Sequence, residues 1–117
     1  MKYLFIFNGA AYGDERTYNG LRLTGALSKN ENNQVRLFLM GDAATAAKKA
    51  QKVPAGFYNL EVMLSRTSHG HKGILGVCGT CMDARGIQDV ELIQDAHRST
   101  LNELAEWTAW TDKVLVF

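Results

Sequence analysis

Residues 73–87 read GILGVCGTCMDARGI. The apolar run at 74–77, unbroken by polar residues, predicts a short strand buried on both faces, as in a parallel sheet covered by helices. A polar, glycine-bearing loop follows it directly and carries both cysteines of the chain, Cys78 and Cys81, at the spacing C-x-x-C. Three further runs are almost continuously apolar, at residues 3–7, 35–40 and 114–117. The segments between these runs read as helices.

Asp14 is placed to cap a first helix whose apolar face is Tyr18, Leu21, Leu23, Ala26 and Leu27. Asp42 is placed to cap a short alanine-rich helix, AATAAKKAQ, and Asn59 a third in which Leu60, Met63, Leu64 and Thr67 share one face. Thr100 and Glu103 form a capping-box pattern, with Leu101, Leu104, Ala105 and Thr108 as the inward stripe and Trp107 and Trp110 beside it. Residues 83–98 carry no decisive periodicity, although a strand near 93–96 would complete a further βα repeat. Strands alternating with helices predict βαβ units and a three-layer α/β/α sandwich with a parallel sheet. At 117 residues the chain is one domain, 1–117.

An apolar fraction of 46%, a charged fraction of 21% and one proline describe a globular chain. The opening MKYLFIFNGA places a lysine before an apolar run, as an export signal does, but the run is five residues long and Asn8 ends it. It is expected to be the first strand, with the protein in the cytoplasm, its thiols reduced and no membrane partner. The net charge is +1, and the 13 basic residues are interspersed with 12 acidic ones. Without a basic stripe, nucleic acid is not an expected partner.

In an open parallel sheet, ligands bind outside the carboxyl ends of the strands. Asn8 and Tyr12 follow the first strand, Gly41 and Asp42 the second, Cys78 and Cys81 the third, so these residues are expected to converge. Asp83 is placed to cap a helix after the third strand, which would set the thiols near a helix amino end, where an anion is stabilised and a thiolate is favoured. Arg85 is placed to steady a thiolate or an anionic substrate, or to pair with a neighbouring aspartate.

A C-x-x-C beside βαβ units serves dithiol redox chemistry, a zinc site or a single working thiolate. A thioredoxin fold places the motif after its first core strand with a cis-proline later, whereas here it follows the third strand and Pro54 precedes it. For zinc, His69 and His71 stand upstream. Residues 74–77, if extended, span about 13 Å and would hold them at the opposite sheet edge, and H-x-H is not the usual partner of C-x-x-C. Simple packing of both cysteines is the plain alternative. NGAAYGD is no G-x-G-x-x-G fingerprint, so nucleotide binding is unsupported.

The blocks NGAAYGDERTYNGLRL, RLFLMGDAATAA, VCGTCMDARGI and LNELAEWTAWTDKVLVF together resemble the DsrE/DsrF-like family, closest to its YchN-type members, across essentially the whole chain. The resemblance implies a parallel five-stranded α/β/α sheet, assembly into homotrimers or hexamers, and an association with sulfur handling. In the sulfur-relay members, a cysteine just after the third strand accepts sulfane sulfur as a persulfide from a donor protein and passes it to an acceptor. Cys78 matches that position, and Cys81 matches the second cysteine of the YchN-type subset, as a resolving or auxiliary thiol. Asn8, Tyr12, Gly41, Asp42 and Arg85 would line the pocket. That chemistry requires neither a metal nor an organic cofactor. The competing expectation is a non-catalytic module that binds a small anion or a partner's tail, with the two cysteines as a redox-sensitive lining.

Overall fold

Strands and helices alternate along the whole chain in a computed structural model that describes all 117 residues. The strands are β1 (Lys2–Phe7), β2 (Gln34–Leu39), β3 (Leu75–Cys78), β4 (Ala96–Ser99) and β5 (Lys113–Val116). The helices are α1 (Arg16–Leu27), α2 (Leu60–Ser68), α3 (Gly79–Ala84) and α4 (Leu101–Trp110), with 3-10 segments at Gly41–Ala47 and Asp89–Glu91. All strand pairs are parallel, in the order β4-β3-β2-β1-β5.

This order explains where the helices lie. The connections from β1 to β2 and β2 to β3 step one way across the sheet, whereas β4 to β5 steps back past β1. Right-handed crossovers that run in opposite directions place their helices on opposite faces. Side-chain alternation agrees. Phe5, Phe7, Leu37, Leu39, Leu75 and Val77 pack with Leu21 of α1 and with Leu60 and Leu64 of α2. Leu4, Phe38 and Cys78 point the other way, into a smaller core with Leu104 and Trp107 of α4. The first core is reinforced by stacking of Phe5, Phe7 and Phe117, with ring centroids 6.0–6.1 Å apart, and each buried Phe contributes about 1.5–3 kcal/mol.

Several local expectations are corrected. Asp14 is not the N-cap of α1. Glu15 holds that place, and Asp14 instead accepts the Arg16 amide at 2.9 Å. The buried face of α1 is Thr17, Gly20, Leu21 and Thr24, while Leu23 and Ala26 face outward. The threonines tolerate burial because their hydroxyls donate to the Gly9 and Gly20 carbonyls. Asp42 caps no α-helix: the alanine-rich segment is 3-10, and the Asp42 side chain pairs with Arg85. Asn59 does cap α2, accepting the Val62 amide at 3.2 Å.

The strand sought near residues 93–96 forms three residues later, as β4. Thr100 caps α4, but the Glu103 carboxylate turns to Ser99 and His97 instead of closing the box. The inward stripe of α4 is Leu104 with Trp107, so Leu101, Ala105 and Thr108 are exposed, Leu101 at 70%. β5 is not buried on both faces, since Val114 and Val116 are left uncovered. No helix is long and apolar enough to cross a membrane.

Candidate functional site

Cys78 is the last residue of β3 and the N-cap of α3, so the strand passes into the helix without an intervening loop. This turn is tight because Gly79 follows. A Cβ there would lie 3.0 Å from Arg98 Nη1 and 3.1 Å from the Ser99 carbonyl oxygen, so any larger residue would push β4 and Arg98 back from the start of α3 by a few tenths of an ångström. Arg98 fastens the junction. Its Nη1 donates to the Gly79 carbonyl at 3.1 Å and to Asp83 at 3.0 Å, and its Nε donates to Asp89 at 2.6 Å. Asp83 therefore does not cap α3. It sits in the helix's last turn, and its carboxylate is a partner of Arg98. The expected helix amino end is still present at the thiols, formed directly from the strand end.

Cys81 lies one turn further along α3, and Gly41 reaches it from the end of β2, its amide donating to the Cys81 sulfur at 3.1 Å. Gly41 holds φ +55°, a left-handed conformation that disfavours residues with a Cβ. Next to it, Asp42 accepts from Arg85 Nη2 at 2.8 Å and Nε at 3.1 Å, while Arg85 Nη1 donates to the Cys81 carbonyl at 3.1 Å. The Asn8 carbonyl oxygen stands beside Gly41, 3.7 Å from where a Cβ would be.

The two thiols are tuned in opposite directions. Burial pushes the Cys78 thiol up, but the Cys81 thiol, the Thr80 hydroxyl at 3.3 Å and the amides of both residues outweigh it, holding Cys78 below its ordinary value. Cys81 is raised, first by burial and then by its hydrogen bond to Cys78, against the opposing Gly41 amide and Arg85 charge. The arrangement is one thiolate-prone sulfur with a proton-holding neighbour.

Of the residues expected to converge, Cys78, Cys81, Gly41, Asp42 and Arg85 form one cluster, and Asn8 borders it. Tyr12 does not join it. Its hydroxyl donates to Gln51 and accepts the Leu60 amide at 3.1 Å, and its ring stacks on Tyr58. Two residues of the site escaped sequence reading. Thr80 had a local signal, a hydroxyl between two cysteines; Arg98 had none, because it arrives from the neighbouring strand. His69 and His71 precede β3, at the edge opposite the cysteines, and no group of three or more His, Cys, Asp or Glu side chains is placed to share a metal ion.

A cleft of about 590 Å³ opens among Ser28, Arg36, His71 and Trp110 at the amino-terminal edge of the sheet. Neither it nor two shallower clefts include Cys78, Cys81, Asp42 or Arg85.

The model of the DsrE/DsrF-like family matches residues 1–117. Protein YchN of Escherichia coli K12 is 44% identical over 117 residues, covering 99% of this chain and 98% of YchN. The crystal structure of the E. coli ychN protein superposes with a TM-score of 0.89 at 42% identity, over 100% of this chain and 99% of that one. An uncharacterized protein of Methanocaldococcus jannaschii, MJ0989, is 34% identical over the full length of both chains. MTH1491 of Methanobacterium thermoautotrophicum, at a TM-score of 0.71 and 11% identity over 99% of this chain and 98% of its own, shares the fold.

Proposed function

This chain belongs to the DsrE/DsrF-like family, which is associated with sulfur relay, and on that premise we propose that it is a sulfur carrier with Cys78 as the persulfide-forming residue. The observation that carries the reading is the environment of Cys78: a strand-end cysteine at the first turn of a helix, depressed in pKa by the Cys81 thiol, the Thr80 hydroxyl and two amides despite its burial. A thiolate there attacks the outer sulfur of a donor persulfide. The donor's sulfur–sulfur bond breaks, its thiolate leaves, and Cys78 keeps the sulfur as a persulfide until an acceptor thiolate takes it.

The three main clefts leave the cysteines out, which suits donors and acceptors that are themselves proteins, since a small-molecule substrate is normally enclosed in a cleft. Arg85, partly exposed beside Cys81 and already neutralised by Asp42, would orient such a partner. Asn8, Gly41 and Asp42 would form the rest of the rim, in a homotrimer or hexamer in the cytoplasm. The exposed Val114 and Val116 on β5 support the assembly, being apolar side chains on the α4 face of the sheet at its edge, where α4 leaves them uncovered.

Incubation with glutathione persulfide followed by intact mass measurement tests the reading. One added sulfur per subunit is expected in Cys81→Ser, which keeps Cys78, and none in Cys78→Ser. Uptake that is unchanged in Cys78→Ser refutes it.

A further inference from the structure

Cys81 follows Cys78 by three residues in the first turn of α3, where side chains at i and i+3 are neighbours, and both border the same small core. An acceptor thiolate attacks the outer sulfur of a Cys78 persulfide, but Cys81 is placed beside the inner one. From these positions we propose that the protein also has a sulfide-releasing activity: Cys81 reductively discharges a Cys78 persulfide that no acceptor has taken. This rests on the carrier reading of Cys78.

The step balances. The Cys81 proton passes to the outer sulfur of the persulfide, leaving a Cys81 thiolate. That thiolate forms a bond to Cys78 Sγ, and the bond between Sγ and the outer sulfur breaks. Hydrosulfide departs with the transferred proton and the electron pair. The sulfane sulfur is reduced to sulfide and the two cysteines are oxidised to a disulfide, so each further cycle needs a dithiol reductant to restore the thiols.

Three features serve this step. Burial and the neighbouring Cys78 push the Cys81 thiol up, which favours Cys78 as the sulfur that meets an incoming donor and leaves Cys81 a proton to give. The Gly41 amide at 3.1 Å and the Arg85 guanidinium stabilise the Cys81 anion when it forms. Cys81 is half-buried where the two cores meet, and the two cysteines are free thiols.

The test is a single turnover without oxygen or added thiol. Wild type, Cys81→Ser, Cys81→Ala and Cys78→Ser are loaded with glutathione persulfide, desalted at once, and followed by intact mass and by sulfide released. The wild type is expected to release about one sulfide per subunit and lose two hydrogens relative to the reduced chain. Both Cys81 variants are expected to load more slowly, keep the added sulfur, and release at least tenfold less sulfide. A wild type that retains its adduct as long as the Cys81 variants, with no disulfide, overturns the inference and leaves the carrier reading intact. If no variant or wild type takes up sulfur at Cys78, the carrier reading fails and this one falls with it.

Discussion

The Gly41 amide donates to the Cys81 sulfur across 3.1 Å, joining the exit of β2 to the first turns of α3 although the residues lie 40 positions apart. The bond requires the left-handed backbone at Gly41. Gly41→Ala is expected to cost about 1–2 kcal/mol, seen as a lower urea midpoint. By displacing the amide it also removes a contribution that lowers the Cys81 pKa. In a Cys78→Ser background, alkylation of Cys81 should therefore need a higher pH than with Gly41 present. An unchanged profile would show that the amide does not support the anion.

Cys78 reactivity should titrate below the ordinary thiol range, near 8.5, because the hydrogen bonds to its sulfur outweigh burial. The rate of alkylation by iodoacetamide against pH, with Cys78 followed by peptide mass, is the measurement. Cys81→Ala removes the foremost of the contributions that lower the pKa and leaves the burial, so the midpoint should move up. Thr80→Val should move it in the same direction. A downward shift in either variant would contradict the assignment of causes.

Glu103 lies under the same end of the sheet, accepting from Ser99 Oγ at 2.6 Å and pairing with His97. Burial pushes its pKa up, but the Ser99 and His97 contacts prevail and lower it. A carboxyl depressed in the folded state stabilises the fold above its unfolded pKa, and the stabilisation fades as pH falls through the native value. Glu103→Gln should cost about 1 kcal/mol at pH 7, a figure held low because the side chain is 32% exposed. The gap between wild type and variant in urea melts should shrink toward pH 3.

Assembly is checked by sedimentation. Wild type is expected at three or six times the chain mass, and Val116→Glu, placed on a 63% exposed valine of the edge strand, should shift it toward the monomer while far-UV circular dichroism is retained.

Much of the fold was legible because burial on both faces writes a continuous apolar run, as at residues 37–39 and 75–77. The exceptions are informative. β4 reads AHRS and carries its function in tertiary contacts, with Arg98 on α3 and Ser99 on Glu103, so no apolar run announces it. In α4 the choice of inward face was decided by Trp107, which stands edge-on to Phe38 and beneath Arg36, and its bulk turns Leu101 outward. Asp42 looked like a cap because capping is a local pattern. Its true partner, Arg85, comes from 43 residues away. The convergence of Cys78, Cys81, Gly41 and Asp42 was legible from the shared carboxyl edge of a parallel sheet, whereas Tyr12 was lost to Gln51 and the α2 amide, neither of which local spacing reveals.

Localisation of labelled sulfur is the most direct measurement. The protein is loaded with a persulfide donor bearing heavy sulfur, blocked with an alkylating reagent, digested and mapped by mass spectrometry. In the Cys81→Ser variant, where the adduct is expected to persist, the label should be found on Cys78 in the peptide spanning β3 and α3, and a thiol acceptor added before blocking should remove it. Label absent from Cys78, or fixed there and untouched by any thiol acceptor, would contradict sulfur carriage by this residue.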